Sequence, residues 1–203
     1  MRNQCTIRFL HRLSASLLAA FLLAHIANHL AALHSVEAHQ AFMSAARMVY
    51  RASIIEPLLL SSIVVQSVTG VLQLRAGWGR RGDFWSRLQA LSGGYLLFFL
   101  INHVAGILIV RYFGLDSDFY AAAVLLTTSP LPVFYVPYYS LGIAAAFAHI
   151  ACALHSRGSG YPAAASILVV GIVVAALTVA AFSGAFYDIQ ISQAYRDAVA
   201  RLF

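Results

Sequence analysis

Apolar residues are gathered into five long runs that short polar connections separate. A helix needs about 20 apolar residues to cross the hydrocarbon core of a bilayer, and each run is about that long. The runs predict five membrane-spanning helices, over residues 13–33, 54–74, 90–111, 133–154 and 163–186. They occupy most of the 203 residues, which leaves no room for a separate soluble domain. We therefore expect an all-α integral membrane bundle that forms one domain over residues 1–203.

The connection between the first two runs has a pattern of its own. In residues 35–53, Phe42, Ala46 and Val49 recur at helical spacing among polar side chains. This pattern predicts an amphipathic helix that lies at a membrane interface.

Two further connections carry weaker signals. A short helix is predicted over residues 119–126, with Ser117 or Asp118 as its first capping residue. Segment 75–87 is basic and broken by glycines, and it holds two tryptophans of the kind that anchor at lipid headgroups. These are Trp78 and Trp85.

The distribution of arginine predicts the orientation, because cytoplasmic loops carry an excess of basic residues. All 13 basic residues are arginine. One side of the predicted bundle has the larger group: Arg2, Arg8, Arg12, Arg75, Arg80, Arg81, Arg87 and Arg157. The other side has the smaller group: Arg47, Arg51, Arg111, Arg196 and Arg201. The N-terminus is therefore predicted inside and the C-terminus outside.

Composition narrows the classes of protein further. The chain is 61% hydrophobic and 10% charged, which is far from the average of soluble domains. Its net charge of +6 reflects arginines beside the spans, and we do not expect it to bind nucleic acid. Cys5 and Cys152 lie in unrelated places and predict no disulfide. No Cys-x-x-Cys-His motif for covalent haem attachment is present.

Two histidines, His25 and His103, lie deep in apolar runs. Each follows its run's start by about a dozen residues, in the first and the third span. An imidazole is costly to place among lipid tails, so two of them at one depth indicate a shared ligand. A haem iron held between them is the natural candidate.

The two histidines belong to a sequence pattern that occurs twice. Six residues of the first span are identical to residues 78 positions later. They are Leu13, Ser14, Leu18, Phe21, Leu22 and His25, which match Leu91, Ser92, Leu96, Phe99, Leu100 and His103. We interpret the pattern as an internal repeat in which spans one and two correspond to spans three and four.

A second level of polar residues is predicted nearer the inner side. Counting residues at about 1.5 Å of rise each places Gln66 of the second span at the depth of His149 in the fourth. An amide is a poor ligand for iron. The pair can instead form a hydrogen bond across the bundle, since buried polar groups seek partners.

The remaining histidines allow several interpretations. His29 shares a helical face with His25, and it can be an alternative ligand, a partner of a haem propionate or quinone oxygen, or an interfacial residue that reaches water. The others lie near span ends, where we expect them to be solvated. These are His11, His34, His39 and His155.

Several stretches resemble a known family. The pattern Arg12-Leu13-Ser14 … Ala24-His25-Ile26-Ala27-Asn28-His29, followed by Val36-Glu37-Ala38 … Phe42-Met43 and by Glu56, is similar to the di-haem cytochrome b subunit of succinate:quinone oxidoreductases. The resemblance covers most of the chain and extends to the number of spans and the spacing of the histidines.

The resemblance implies a site and its ligands. In that family five helices hold two b haems, and His25 and His103 correspond to the pair that binds the haem farther from the dehydrogenase. His149 corresponds to one ligand of the nearer haem, and Gln66 stands where the other ligand belongs. One haem b is therefore implied, and the second lacks a ligand. Phe147 stands where some fumarate reductases of this type have a glutamate.

The resemblance also implies partners and a location. The expected partners are a flavoprotein and an iron–sulfur subunit that dock on the cytoplasmic segment 75–87 of a protein in a bacterial cytoplasmic membrane. Quinone is the expected substrate. Candidate residues for its binding are His29, Tyr50 and Glu56 on the outer side and Trp78 and Ser92 on the inner side.

The chain has no Gly-x-Gly-x-x-Gly fingerprint and no cysteine clusters, so it is at most a non-catalytic electron-transfer subunit of an oxidoreductase. The alternative is a haem-free scaffold or orphan subunit, in which the histidines, Gln66, Asn28 and Asn102 only join helices. A transporter is a weaker possibility, because no acidic residue lies deep in a span and no paired breaks interrupt the spans.

Overall fold

Helices make up nearly all of the chain. A computed structural model describes residues 2–77 and 82–202, and within them there are eight helices. They are α1 (Arg2–Ala31), α2 (Val36–Tyr50), α3 (Ile55–Gly77), α4 (Phe84–Tyr112), α5 (Phe119–Thr127), α6 (Pro132–His155), α7 (Tyr161–Phe182) and α8 (Gln193–Ala200). Five of them, α1, α3, α4, α6 and α7, are long and apolar enough to cross a membrane. The prediction of an all-α protein is confirmed, and the five predicted spans coincide with the five helices that could cross a membrane.

The ends of the spanning helices differ from their predicted ends. Helix α1 begins at Arg2 rather than at residue 13, because its polar first part contains no glycine or proline and continues the helix. Helix α4 begins at Phe84, where the Asp83 side chain caps it by accepting a hydrogen bond from the Ser86 amide. An apolar run marks the part of a helix that fits lipid, not the whole helix.

A left-handed glycine ends α7 four residues before the predicted end of the span. Gly184 has φ of +78°, and the amide of Ala185 donates to the carbonyl of Ala180. This is the Schellman arrangement that satisfies the last carbonyls of a helix. Gly114, with φ of +73°, ends α4 in the same way.

The two short connecting helices were both predicted. Ser35 caps α2 by accepting from the Ala38 amide, and Asp118 caps α5 by accepting from the Tyr120 amide. The apolar residues that were predicted to face a membrane interface do not pack on the bundle, and their contact with lipid stays a prediction. Phe42 and Val49 are exposed, whereas the helix buries the face that carries His39 and Met43.

The chain passes twice through the order long helix, short helix, long helix. The first segment is α1–α2–α3 and the second is α4–α5–α6. Helix α1 packs mainly on α3, and α6 packs on α4 and α7. Helices α2, α5 and α8 gather at one end, which we call the capped end, around a core that contains Phe119 and Phe182. The opposite, open end carries the short connections at 82–83 and 156–160.

Candidate histidine site between α1 and α4

His25 of α1 and His103 of α4 meet inside the bundle. The centres of their rings are 6.0 Å apart, and the ring planes are inclined by 69°. Both side chains are half-buried. The two histidines that the sequence placed at one depth therefore do lie close together, and their role as ligands stays a prediction.

Each of these imidazoles stacks on a phenylalanine one helical turn earlier. Phe21 lies against His25 with 5.3 Å between ring centres and 18° between planes. Phe99 lies against His103 at 5.2 Å and 14°. Phe21 and Phe99 are also matched positions of the sequence pattern, so the same pair of residues makes the same contact on both helices. Stacking restricts the orientation of both imidazoles.

The two imidazoles differ in their polar partners. Nε2 of His25 lies 3.1 Å from Nε2 of His29, so one of the two rings donates a hydrogen bond to the other. The His103 ring contacts Phe99 and His25, and no hydrogen bond to it occurs within residues 2–77 and 82–202. His103 is thus the less satisfied of the pair.

The histidine cluster extends from His29 to the buried His39 of α2. The rings of His29 and His39 stack at 5.8 Å. The Asn28 amide nitrogen donates to Nε2 of His39 over 3.1 Å, which leaves the proton of the neutral ring on Nδ1. Neither Nδ1 of His39 nor Nδ1 of His29 has a partner among the described residues.

The expectation that His39 is solvated is wrong, since it is only 2% exposed. It packs against Phe119 and Phe182. Burial, and then the nearby positive charge of Arg47, lower the pKa of His39 to about 4. The available sequence signal was its position one turn after the Ser35 cap, on the same face as Met43.

Gln66 and His149 do not form the hydrogen bond that their common depth suggested. Ser14 donates to Oε1 of Gln66 over 2.6 Å, and Nε2 of Gln66 donates to Nε2 of His11 over 3.1 Å. His149 is instead 3.3 Å from the Ser92 hydroxyl, measured at Nδ1. Depth alone cannot say which way a side chain points around its helix, and here the two groups face different neighbours.

His11 and His155 also depart from the expectation of solvation. Nδ1 of His11 lies 2.9 Å from Oγ1 of Thr69, so both ring nitrogens of His11 bind α3. His155 stacks on Trp85 with 4.3 Å between ring centres. His34 is exposed, as expected.

The candidate residues for quinone binding are engaged within the chain. Glu56 accepts a hydrogen bond from Nη1 of Arg111 over 2.6 Å, and the Tyr50 hydroxyl accepts one from Nε of Arg47 over 3.3 Å. The Ser92 hydroxyl faces His149. Trp78 lies outside the described residues.

Metal ligands other than paired imidazoles are not grouped. Within the part of the chain that the structure describes, no three His, Cys, Asp or Glu side chains are placed to hold a metal ion. A haem iron, whose other four ligands come from the porphyrin, needs only two from the protein.

Comparison of the chain with family models, with characterised proteins and with solved structures finds no match. The fold itself defines the class: an all-helical bundle with five candidate membrane spans.

Proposed function

We propose that this protein is a membrane subunit that binds haem b and transfers electrons, and that His25 and His103 would both hold the haem iron. It would pass electrons between a flavoprotein and iron–sulfur partner and a membrane quinone, as in the succinate dehydrogenase and fumarate reductase family that its sequence resembles. The observation that carries the proposal is the meeting of two imidazoles from different spans.

The donor groups suit an iron between them. Two imidazoles from different candidate spans have their ring centres 6.0 Å apart, and imidazole is a common protein ligand of haem iron. In this conformation Nε2 of His25 lies 3.1 Å from Nε2 of His29, so the His25 ring would have to turn to face an iron beside His103.

The space around the pair is tighter than a macrocycle needs. A cavity of about 10 Å³ lies beside His25 and is lined also by Phe21, Asn28 and Tyr50, and that volume holds about one water molecule. Binding of haem therefore requires His25 to turn from His29 and α1 to move away from α4. Helix α1 makes its main contacts with α3 and α2 rather than with α4, which favours such a movement.

Bis-imidazole iron supplies one-electron transfer and leaves no open position for oxygen. The chain's own residues hold the two rings in place. Phe21 and Phe99 stack on the imidazoles and would fix the ring planes. Gln66, which faces Ser14 and His11, supplies no second ligand opposite His149, so we propose one haem.

Haem content tests the proposal directly. Protein purified from haem-replete cells should show a reduced-minus-oxidised spectrum of bis-imidazole haem b and about one haem per chain by pyridine haemochrome assay. His25→Gln and His103→Gln should each lose nearly all of that haem, while His34→Gln, at an exposed histidine, should keep it. Full haem retention in either His25 or His103 variant contradicts the assignment.

A haem-free scaffold is the second candidate function. The hydrogen bond between His25 and His29 and the small adjacent cavity favour it, because the two imidazoles are partners of each other and protein side chains fill most of the space beside them. In that case the purified protein has no haem, and His25→Gln changes only the stability of the bundle.

For the orientation, we propose that the N-terminus and the open end face the cytoplasm of a bacterial cell, where a dehydrogenase partner would dock near segment 75–87. Exposed Cys5 lies near the N-terminus and Cys152 is buried. A membrane-impermeant thiol reagent should therefore label Cys5 in inside-out vesicles and leave intact spheroplasts unlabelled. The reverse result contradicts the orientation, and Asp188→Cys provides a control site at the capped end.

A further inference from the structure

An open cavity of about 430 Å³ lies at the capped end, away from the histidines. Its lining residues are Arg51, Arg111, Gly114, Leu115 and Asp116. Arg51 directly follows the end of α2 and precedes α3, and Arg111 is the last residue but one of α4. Since α3 and α4 are candidate spans, the cavity is at the depth where lipid headgroups meet the ends of membrane helices.

Positive charge exceeds negative charge around this cavity. Asp116 is held by Arg47 at 2.6 Å and lies 3.5 Å from Arg51. Glu56 is held by Arg111 at 2.6 Å. Among the residues that line the cavity, two arginines therefore meet one carboxylate, and Arg51 has only the longer of the two contacts with Asp116.

The two arginines that line the cavity have unused donors. Arg51 donates through Nη2, to Ser117 Oγ and Asp116, and Arg111 donates through Nη1. Nη1 of Arg51 and Nη2 of Arg111 make no hydrogen bond to the described residues and are not among the buried atoms. A guanidinium has five N–H donors in a planar fork that suits phosphate, so both side chains have capacity left for an oxyanion.

The surface next to the cavity is apolar. Tyr112, beside Arg111, is 87% exposed, and Ile54, three residues after Arg51, is 78% exposed. An aromatic side chain with a polar tip is common at the membrane interface. A ligand that combines a phosphate with acyl chains matches both the cationic cavity and this apolar rim.

We propose that this cavity binds the phosphate headgroup of an anionic phospholipid, with Arg51 and Arg111 as its ligands and Tyr112 and Ile54 beside the acyl chains. This site is independent of the haem, because it shares no residue with the His25–His103 pair.

Native mass spectrometry of the full-length protein tests the site. Phosphatidylglycerol and phosphatidylcholine with identical acyl chains are titrated separately onto the detergent-solubilised protein. We expect phosphatidylglycerol to bind about tenfold more tightly, and Arg51→Gln to remove that preference, since a hydrogen bond to a charged group contributes about that much. Arg47 still pairs with Asp116 in this variant, so the fold should be kept, as circular dichroism would verify.

Arg201→Gln is the matched control, because it removes one exposed positive charge after α8 and outside the cavity. It should leave the preference intact. Equal loss in Arg201→Gln, or an unchanged preference in Arg51→Gln, overturns the proposal. Displacement of phosphatidylglycerol by millimolar inorganic phosphate would assign the cavity to a free anion and overturn the lipid assignment.

Discussion

The two halves of the bundle, α1–α2–α3 and α4–α5–α6, share a plan and differ in how their polar groups are satisfied. Both halves carry a buried serine toward the open end, Ser14 and Ser92, that faces a polar side chain of the same half. Both carry a histidine that stacks on a phenylalanine one turn before it. The matched residues of the two halves thus have similar surroundings, and the internal repeat stays an interpretation of the sequence.

The first half pairs several of its polar groups with one another, although Nδ1 of His29 and Nδ1 of His39 have no partner among the described residues. His11 holds Gln66, His29 holds His25, and Asn28 holds His39. At the positions that match His11 and His29, the second half has Gln89 and Ile107.

The imidazoles of His103 and His149 in the second half have fewer or longer hydrogen bonds. His149 has a 3.3 Å contact with Ser92, and His103 has aromatic contacts without a hydrogen bond in the described residues. A polar group in an apolar setting is stabilised most by a new ligand when it lacks a partner. The comparison therefore identifies His103, rather than His25, as the residue that gains most from binding a cofactor.

Acid should weaken the first half through His39. The ordinary pKa of 6.5 falls to about 4 in the folded chain, so protonation favours the unfolded state. Stability is fully present above about pH 6.5 and is lost as the pH falls toward 4. The loss should approach about 3 kcal/mol at 1.36 kcal/mol per pKa unit, measured as the free energy of unfolding in mixed micelles.

His39→Gln keeps a polar side chain and removes the titration. Its free energy of unfolding should therefore change by about 3 kcal/mol less between pH 7 and pH 4 than that of the wild-type protein, because only the contribution of His39 is removed. At the corresponding place in the second half, α5 buries Phe119, which does not titrate. If the variant retained the full acid sensitivity of the wild-type protein, protonation of His39 would not be a cause of that sensitivity.

Two glycines that lie beside histidines, Gly93 beside His149 and Gly70 beside His11, should give the next largest difference in the free energy of unfolding between variants. A Cβ at Gly93 would lie 3.0 Å from Cε1 of His149, whereas a Cβ at Gly70 would lie 3.6 Å from Cε1 of His11. The first distance forces the His149 ring to shift from Ser92, and the second is ordinary contact. We expect Gly93→Ala to destabilise the bundle by about 1–2 kcal/mol and Gly70→Ala to stabilise it by up to about 1 kcal/mol.

Unfolding in mixed micelles measures both variants under the same conditions. Each serves as the other's control, since both add one methyl group to a spanning helix. Equal changes in the free energy of unfolding would mean that the His149 ring moves aside for the added methyl group at no cost.

The sequence predicted the features that depend on composition along one helix. Apolar runs identified the five spans, and Asp118 with the following apolar residues identified α5. Depth along the helix brought His25 and His103 to one level. Each of these inferences needs only the rise of a helix or its local caps.

The sequence did not predict features that depend on neighbouring helices. The burial of His39 is decided by Phe119 and Phe182, which come from α5 and α7. The partner of Gln66 is decided by the direction in which α1 and α3 face each other. Helix α8 was not predicted, because it is short and contains no apolar run.

The two buried serines provide the finest test of the comparison. Ser14→Ala removes a 2.6 Å hydrogen bond and leaves Oε1 of Gln66 without its donor, whereas Ser92→Ala removes a 3.3 Å contact with His149. Both serines are 4% exposed, so burial is matched and only the partner differs. An unsatisfied buried acceptor costs about 1–2 kcal/mol, so Ser14→Ala should have the larger effect on the free energy of unfolding. A larger loss of stability in Ser92→Ala would show that the contact between Ser92 and His149 stabilises the second half at least as much as the Ser14–Gln66 hydrogen bond stabilises the first.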